Sequence, residues 1–285
     1  MLDRLALFTD DIDQNVSHAL DVIDSFGLKW VEIRSAWGKN MIDHADEQAR
    51  EVHALITKRG VKVRCIAAPL LKCKLRGKGE ASKETFNAQA RDSLEQQLAV
   101  LRRAIELARL FNTNLVRSFS FWKTGNDPAS IWDELLDQFQ PIVRLAEQEG
   151  ITLAMENDFE CNIGTGVLAA KFIKAINSLH FRLLWDAGNA YFDGETKPYP
   201  DGYAQIKNLI VHVHLKDAKR NAQGKVEWVA LGTGEVDLVG QLRALNADGY
   251  NGVIAMENHY TPPNGTKEDG VRESFKGLQK MIASL

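Results

Sequence analysis

The chain alternates polar stretches with short apolar runs that are rich in Val, Ile and Leu. Most of these runs follow a Gly or Asn, and runs of this kind are typical of strands that are buried on both faces. The polar stretches have their apolar positions at helical spacing, so the pattern predicts alternating helices and strands. The eight predicted strands lie at 4–8, 27–34, 60–67, 112–119, 150–157, 180–187, 208–215 and 251–258.

The segments between these runs end at the Gly or Asn expected at a helix C-terminus. Short connections make successive strands parallel. Eight alternations of strand and helix predict an α/β fold, the (β/α)8 TIM barrel, rather than a doubly wound sheet with a second domain. No linker rich in Pro, Ser or Gly interrupts the pattern, so we expect residues 1–285 to form a single domain. Clear helical segments lie at 12–26, 46–59, 128–149 and 267–284.

Two connections that follow strands are long, at 68–82 and 216–234, and barrel active sites are built on such connections. In the second, Gly232 and Gly234 offer backbone N–H groups to a phosphate, or form a turn into a helix capped near Asp237; we favour the turn. The first either clamps an acidic group or forms a solvated lid, and we favour the lid. Its basic residues are Lys72, Lys74, Arg76 and Lys78.

Four consecutive strands end in a side chain that can bind a metal ion: Glu156, Asp186, His214 and Glu257. One such carboxylate is more often a helix cap, and one such His is more often a core residue, but four together indicate a site. Ala154 and Ala255 share a strand face with the two glutamates and leave room for an ion. His212 lies one layer below His214, where it contacts either the substrate or a buried partner.

Three carboxylates and one imidazole are mostly hard oxygen ligands, which favours Mn²⁺, Mg²⁺ or Co²⁺ over a thiolate-bound structural zinc. We therefore expect one divalent metal ion, with Mn²⁺ preferred and Zn²⁺ as a further candidate. With a neutral His, the occupied site carries a surplus negative charge, which nearby cations would offset. The candidate cations are Arg34, Arg117, Lys216 and Arg220, each of which is equally suited to an ordinary ion pair.

The composition of the chain limits the kinds of binding partner that we expect. With 35 basic and 38 acidic residues, the formal net charge of -3 gives no electrostatic footprint for nucleic acid or an anionic membrane. The three cysteines are widely spread, which favours reduced thiols. The first residues do not resemble a signal peptide, and no apolar stretch is long enough to span a bilayer. We expect a cytoplasmic protein without a membrane partner.

The strand-end residues and their surroundings resemble the xylose isomerase-like TIM-barrel superfamily, specifically the sugar phosphate isomerase/epimerase branch that contains the ketose 3-epimerases. The resemblance covers essentially the whole chain and is carried by WVEIRSAWGKN, LLWDAGNAYFDGE, VHVHLKD and LGTGEVDL. It implies that Glu156 and Glu257 bind the metal and act as acid and base from opposite sides of the substrate. It also implies that Asp186 and His214 are ligands only, and that the protein is a dimer or tetramer.

Further site residues follow from the same resemblance. Arg220, six residues after His214, corresponds to a substrate-binding Arg of the ketose 3-epimerases, and Glu160 resembles a Glu that supports their metal ligands. This chain differs from them at Asn189, where they have His, and at Lys216 and Asp217, where they commonly have Gly and Glu. We expect substrate contacts from Arg34, Trp37, Arg117, Glu160, Asn189, His212, Lys216 and Arg220.

The chemistry expected of such a site is removal of a proton next to a carbonyl group. A divalent ion acts as a Lewis acid that stabilises the enediolate, and the two glutamates move the proton. Its return to the same carbon from the other side gives epimerisation, and its return to the neighbouring carbon gives isomerisation. We therefore predict a divalent-metal-dependent isomerase or epimerase of a sugar, sugar acid or sugar phosphate.

Two other functions are compatible with parts of this pattern. A metal-dependent dehydratase or lyase acting on a keto-sugar or keto-inositol begins with the same proton removal and then expels a substituent. A DNA repair enzyme like endonuclease IV shares the barrel superfamily, but it resembles a three-metal site that needs several more histidines. The net charge of -3 also argues against DNA as the substrate, so we expect no nucleic-acid partner.

Overall fold

A ring of eight parallel strands forms the centre of the molecule, and its first strand pairs with both the second and the last. The computed structural model describes residues 2–80 and 91–285. All eight predicted strands and the TIM-barrel fold are confirmed. Strands β1 to β8 are Leu5–Phe8, Trp30–Ile33, Lys62–Leu70, Leu115–Ser118, Thr152–Glu156, Phe181–Asp186, Ile210–Leu215 and Ile254–Met256.

Helices connect the strands. The longer α-helices among the described residues, α1 to α7, are Val16–Ser25, Asp46–Lys58, Leu94–Leu110, Trp132–Gln148, Gly166–Ile176, Leu238–Ala247 and Lys267–Ala283. Shorter helical segments are Thr9–Ile12, Ala187–Phe192 and Tyr203–Ile206, with single turns at Leu2–Arg4, Met41–Asp43, Pro128–Ile131 and Pro198–Gly202. Within the described ranges, no helix combines the length and apolar character needed to cross a membrane.

The predicted helices are present, with boundaries set by local caps. The segment predicted at 12–26 begins as α1 at Val16, because the Asn15 side chain accepts hydrogen bonds from the backbone N–H groups of Ser17 and His18. The segment predicted at 128–149 starts with a 3₁₀ turn and continues as α4. The side chains of Asn15 and Asp127 thus cap the start of these two segments, within a few residues of the apolar pattern.

The two long connections take different forms. The first residues of 68–82 continue β3 as far as Leu70, and its last two residues lie outside the described residues. The second connection folds into an antiparallel hairpin of Asp217–Arg220 with Val226–Val229. A smaller hairpin after β2 pairs Ser35–Ala36 with Lys39–Asn40.

The strand register brings polar side chains together at the carboxyl edge of the barrel. Asp186 on β6 lies beside His214 on β7, and Ala255 on β8 lies on the other side of His214. Deeper in the barrel, Ala154, two residues before Glu156, packs against Cys65, Leu115 and Leu184 in a small apolar cluster. The small residues expected below the glutamates are therefore in place. All three cysteines are buried and unpaired: Cys65, Cys73 and Cys161.

Candidate metal centre

The four strand-end residues predicted as metal ligands meet at the carboxyl edge of the barrel and are buried. One possible ligand atom from each of Glu156, Asp186, His214 and Glu257 lies within 4.8 Å of the others. His214 Nδ1 is 3.3 Å from Glu156 Oε1 and 3.1 Å from Glu257 Oε2. Asp186 Oδ2 and Glu257 Oε2 are buried and accept no hydrogen bond from any described residue. Such converging acceptor atoms fit a divalent cation. We call these four residues the quartet.

A buried glutamate, Glu32 on β2, supports the quartet from below. Its Oε1 lies 3.1 Å from His214 Nε2 and also contacts His212 Nε2. If His214 donates its Nε2 proton to Glu32, its Nδ1 lone pair faces the quartet carboxylates. A carboxylate behind a metal-binding imidazole fixes the ring and increases its basicity. Sequence analysis did not identify Glu32, whose signal is a single acidic residue within the apolar strand WVEI.

The charge of Glu32 favours a cation at Nδ1 of His214. Burial alone would raise the pKa of Glu32, but His212 and His214 lower that pKa to about 2, so the carboxylate stays ionised. Burial alone would lower the pKa of His214, but Glu32 and Glu156 raise it well above its usual value. The imidazole therefore attracts positive charge, a proton or a metal ion, on the side that faces the carboxylates.

Lys216 reaches into the quartet from the residue that follows β7. Its Nζ lies 3.3 Å from Glu156 Oε1, 3.1 Å from Asp186 Oδ2 and 2.8 Å from Glu257 Oε2, and the residue is only 3% exposed. Burial alone would lower the pKa of Lys216, but the carboxylates around it raise the pKa well above its usual value. The side chain is therefore a buried ammonium ion.

Two arginines from the other half of the barrel hold the glutamates. Arg117, on β4, places Nη1 at 3.1 Å from Glu156 Oε2 and 3.7 Å from Glu257 Oε1. Arg34, after β2, donates from Nη1 to Glu257 Oε1 at 2.7 Å. Burial opposes ionisation of Glu156 and Glu257, but Lys216 and His214 lower the pKa of both carboxyl groups, with further help from Arg117 at Glu156. Both glutamates are consequently ionised, as a base must be.

A cavity of about 310 Å³ opens from this centre to solvent. Glu156, Glu257 and Lys216 form part of its floor, together with Arg34 and Arg117. Four aromatic side chains, which can stack on the face of a sugar ring, form part of the cavity wall: Phe119, Trp122, Phe159 and Trp228.

Comparison with known proteins gives the family of this chain. A family model described as xylose isomerase-like TIM barrel matches residues 20–281. The chain belongs to this family. Among curated proteins, the inosose dehydratase of Geobacillus thermodenitrificans is 26% identical over 145 residues, which are 46% of this chain and 48% of that protein. The chain spans about half the length of the curated relatives it matches.

Solved structures share the whole fold at low sequence identity. The IolI protein with a bound zinc atom has a TM-score of 0.74 and 16% identity, covering 99% of this chain and 98% of that one. The 3-keto-D-glucoside 4-epimerase from E. coli, in its apo form, has a TM-score of 0.72 and 17% identity, covering 98% and 99%. These likenesses show a common barrel.

In this member of the xylose isomerase-like family, two residues that were expected to contact the substrate, Asn189 and His212, are buried beside the quartet. Asn189 is fully buried and does not line the cavity. Its side-chain amide donates to Glu156 Oε1 at 3.1 Å, and its backbone N–H donates to Asp186 Oδ1 at 2.8 Å. His212 is also fully buried and lies between Glu32 and the Val253 carbonyl, so a buried partner, rather than the substrate, is what it contacts.

Arg220 and Trp37, which were expected to contact the substrate, do not line the cavity. Arg220 ends one strand of the hairpin in the second connection, which carries it to the surface. There its guanidinium lies 5.7 Å from the Tyr191 ring centroid. Trp37 sits in the turn of the smaller hairpin and packs edge-on against His44. In both cases a short hairpin redirects the chain in a way that residue spacing does not show.

Glu160 does line the cavity, but its partner is Lys72, with 3.3 Å between Oε2 and Nζ, rather than a quartet residue. In the second connection, the turn interpretation is confirmed. The N–H groups of Gly232 and Gly234 both donate to Asp217 Oδ2 at 2.9 Å, so they are already used within the chain. Asp237 caps α6 by accepting from the Gly240 N–H at 2.8 Å.

Proposed function

We propose that this chain is a divalent-metal-dependent isomerase or epimerase that moves a proton next to the carbonyl group of a sugar. One observation carries the proposal: two ionised glutamates, Glu156 and Glu257, meet an imidazole and a third carboxylate in one buried centre at the floor of a cavity. Perturbed titratable groups that converge in such a cavity mark a functional site.

The quartet would hold the ion. Its oxygen-rich donor set suits Mn²⁺, with Mg²⁺, Co²⁺ and Zn²⁺ as alternatives. When bound, a divalent ion supplies Lewis acidity that makes the proton beside a carbonyl easier to remove, an effect of several kcal/mol. Glu32 would keep the Nδ1 of His214 directed at this position through its contact with Nε2.

The two glutamates would move the proton. Glu156 ends β5 and Glu257 follows β8, so they approach the cavity floor from different sides of the barrel. One ionised glutamate removes the proton and keeps it, and the other, which has taken up a proton from solvent, donates that proton to the opposite face of the carbon, which inverts the carbon. If the proton returns to the neighbouring carbon instead, the same pair gives an isomerase. Arg117, which touches both carboxylates, would hold them at a fixed separation.

We favour a sugar without a phosphate group. The Gly232 and Gly234 N–H groups are engaged by Asp217, so the turn after the second hairpin offers them to no phosphate. Of the cations in the cavity, Arg34 is held by Asp10, Asp11 and Glu257, while Lys72 is held by Asp158 and Glu160.

A dehydratase acting on a keto-inositol is the second candidate, and the match to an inosose dehydratase over about half of each chain favours it. This reaction begins with the same proton removal by a glutamate. It differs in the next step, in which a hydroxyl group on the neighbouring carbon leaves as water. The two functions therefore share the quartet and differ in their products.

Incubation in D₂O tests both candidates. The protein is loaded with Mn²⁺, mixed with a panel of ketoses, aldoses and keto-inositols, quenched with EDTA and analysed by chromatography and mass spectrometry. We expect metal-dependent deuterium incorporation at the carbon beside the carbonyl. A rearranged product of unchanged composition identifies an isomerase or epimerase, whereas loss of water identifies the dehydratase. Absence of deuterium incorporation across the panel would overturn the proposal.

A further inference from the structure

The Lys216 ammonium lies among the atoms that would bind the metal ion. Its Nζ is within 3.3 Å of three quartet oxygens: Glu156 Oε1, Asp186 Oδ2 and Glu257 Oε2. Two of these oxygens, Glu156 Oε1 and Glu257 Oε2, are also those that face His214 Nδ1. The lysine therefore uses the same acceptor atoms as a bound ion would.

Three buried carboxylates need positive charge nearby, because an uncompensated charge in a dry interior is costly. Arg117 and Arg34 hold the outer oxygens of the glutamates, Glu156 Oε2 and Glu257 Oε1. The inner oxygens face Lys216. At Asp186 Oδ2 and Glu257 Oε2 the ammonium is close, yet neither oxygen accepts a hydrogen bond of good geometry. The contact is thus one of charge, which a different cation can replace.

An ammonium ion and a divalent ion cannot share these oxygens without strong repulsion. Metal–oxygen distances are about 2.0–2.2 Å for the ions considered, so a bound ion would draw the same three oxygens toward itself. At so short a range, and with little water to screen them, two neighbouring cations repel strongly. Either the ion is excluded or the lysine withdraws.

We propose that Lys216 is a built-in cation that occupies the quartet in the absence of metal and is displaced from it when a divalent ion binds. This inference rests on the proposed function, because it takes the quartet to be the metal site. It assigns Lys216 a role as a positioning residue that keeps the carboxylates together and tunes metal affinity downward. The release of the side chain would also place an ammonium in the substrate cavity.

The surroundings allow this movement. Lys216 lines the cavity, so its side chain has open space on one side. The ring centroid of Trp228 lies 5.8 Å from Nζ, and an aromatic face attracts an ammonium. Asp158, also in the cavity lining, already stabilises the charge of Lys216 at a distance. The displaced ammonium therefore has partners outside the quartet.

Metal titration gives the first test. Binding of Mn²⁺ to metal-free protein is measured by calorimetry for the wild type, for Lys216→Met and for the matched control Lys72→Met. Lys72 is another cavity lysine paired with carboxylates, but its partners Asp158 and Glu160 lie outside the quartet. We expect Lys216→Met to bind Mn²⁺ at least tenfold more tightly than wild type, and Lys72→Met to change affinity by less than threefold. We also expect metal-free Lys216→Met to melt at a lower temperature than metal-free wild type.

Unchanged or weaker binding by Lys216→Met would overturn the displacement while leaving the proposed metal site intact. Lack of Mn²⁺ binding to any of the proteins would instead overturn the proposed function, and this inference with it. The two failures are therefore distinguishable.

A second measurement uses only the wild type, so it does not depend on a variant that folds. The protein is briefly treated with acetic anhydride with and without Mn²⁺, and each lysine is followed by peptide mass spectrometry. We expect Lys216 to be protected in the metal-free protein and acetylated at least fivefold faster with Mn²⁺, while Lys72 changes little. Equal acetylation of Lys216 in both conditions would overturn the proposal.

Discussion

Glu257 is held from several directions by groups of opposite charge. Arg34 Nη1 lies 2.7 Å from one carboxylate oxygen, while Lys216 Nζ and His214 Nδ1 lie 2.8 Å and 3.1 Å from the other. The hydrogen bond from Arg34 fixes the direction of the carboxylate, and all three contacts stabilise its charge. At the scale of single residues, the centre is a set of carboxylates that neighbouring cationic side chains keep ionised and hold in position.

Removing either proposed base should stop the reaction while leaving the fold intact. In Glu156→Gln and Glu257→Gln the side chain keeps its shape but cannot take up a proton, and general acid–base catalysis contributes roughly 10²–10⁴-fold. We expect the rate of deuterium incorporation in D₂O to fall by about that factor or more, with an unchanged circular dichroism spectrum. Full activity in either variant would refute the two-base mechanism.

Neutralising Glu32 should weaken metal binding without touching a ligand. Glu32→Gln removes the negative charge behind His214, so the imidazole becomes a poorer donor at Nδ1. Loss of such a support typically costs about 10–100-fold in metal affinity, and we expect Mn²⁺ binding measured by calorimetry to fall within that range. The control is Glu160→Gln, a cavity carboxylate outside the quartet, which should bind Mn²⁺ as the wild type does. Equal affinities for the two variants would contradict the role of Glu32.

The candidate ligands were predictable from the sequence, because each ends an apolar run whose direction is fixed by the barrel. Glu32 was not predictable, because a single acidic residue within a strand is also common at positions that face solvent. Only the closed ring, which carries Glu32 on β2 to His214 on β7, reveals its partner. The place of Lys216 was equally beyond prediction, since a long side chain has several directions open to it.

At the scale of elements, the connections after the strands decide which residues reach the cavity. Arg220 has the spacing from His214 that suggests substrate binding, yet it lies on a hairpin that carries it away. The residues that form this hairpin have a weak pattern, because neither of its strands is buried on both faces. Spacing along the chain therefore predicts position well within the barrel strands and poorly within the connections.

Close packing of α7 on the second connection makes one glycine essential. A Cβ at Gly277 would lie 1.8 Å from the Leu231 carbonyl oxygen. Within a helix, Gly→Ala normally stabilises by about 0.5–1 kcal/mol, but here we expect Gly277→Ala to destabilise by roughly 1–3 kcal/mol through overpacking. Urea unfolding measures the difference.

The neighbouring exposed position provides the control for that measurement. Lys276→Ala should change the free energy of unfolding by no more than about 0.5 kcal/mol. If Gly277→Ala proved as stable as Lys276→Ala, α7 and the second connection would not be in close contact at Gly277.

At the scale of the whole molecule, metal binding should be visible as stability. A ligand at one hundred times its dissociation constant stabilises the folded state by ~2.7 kcal/mol. For a chain of this size we expect saturating Mn²⁺ to raise the melting temperature by roughly 5 °C or more, and EDTA to reverse the change. Asp186→Asn, which weakens one ligand, should show a much smaller rise. No rise in the wild type at millimolar Mn²⁺ would contradict the metal site.

The barrel fold was the most predictable feature, because few other folds accommodate eight apolar strands that alternate with helices. The boundaries moved by a few residues wherever a cap such as Asn15 intervened. The apolar pattern could not predict which charged side chains pair across the barrel, because those pairs depend on the spatial distance between strands that are far apart in sequence.

The pairing of the first strand with the last has a consequence for how the protein acquires its activity. The hydrogen bond from Arg34 to Glu257 joins positions 223 residues apart, and Glu32 reaches His214 across 182 residues. During synthesis, three of the proposed ligands emerge before the last one. The centre is assembled only when β8 closes the ring, so a truncated or half-folded chain has neither the complete set of proposed ligands nor both of the proposed bases.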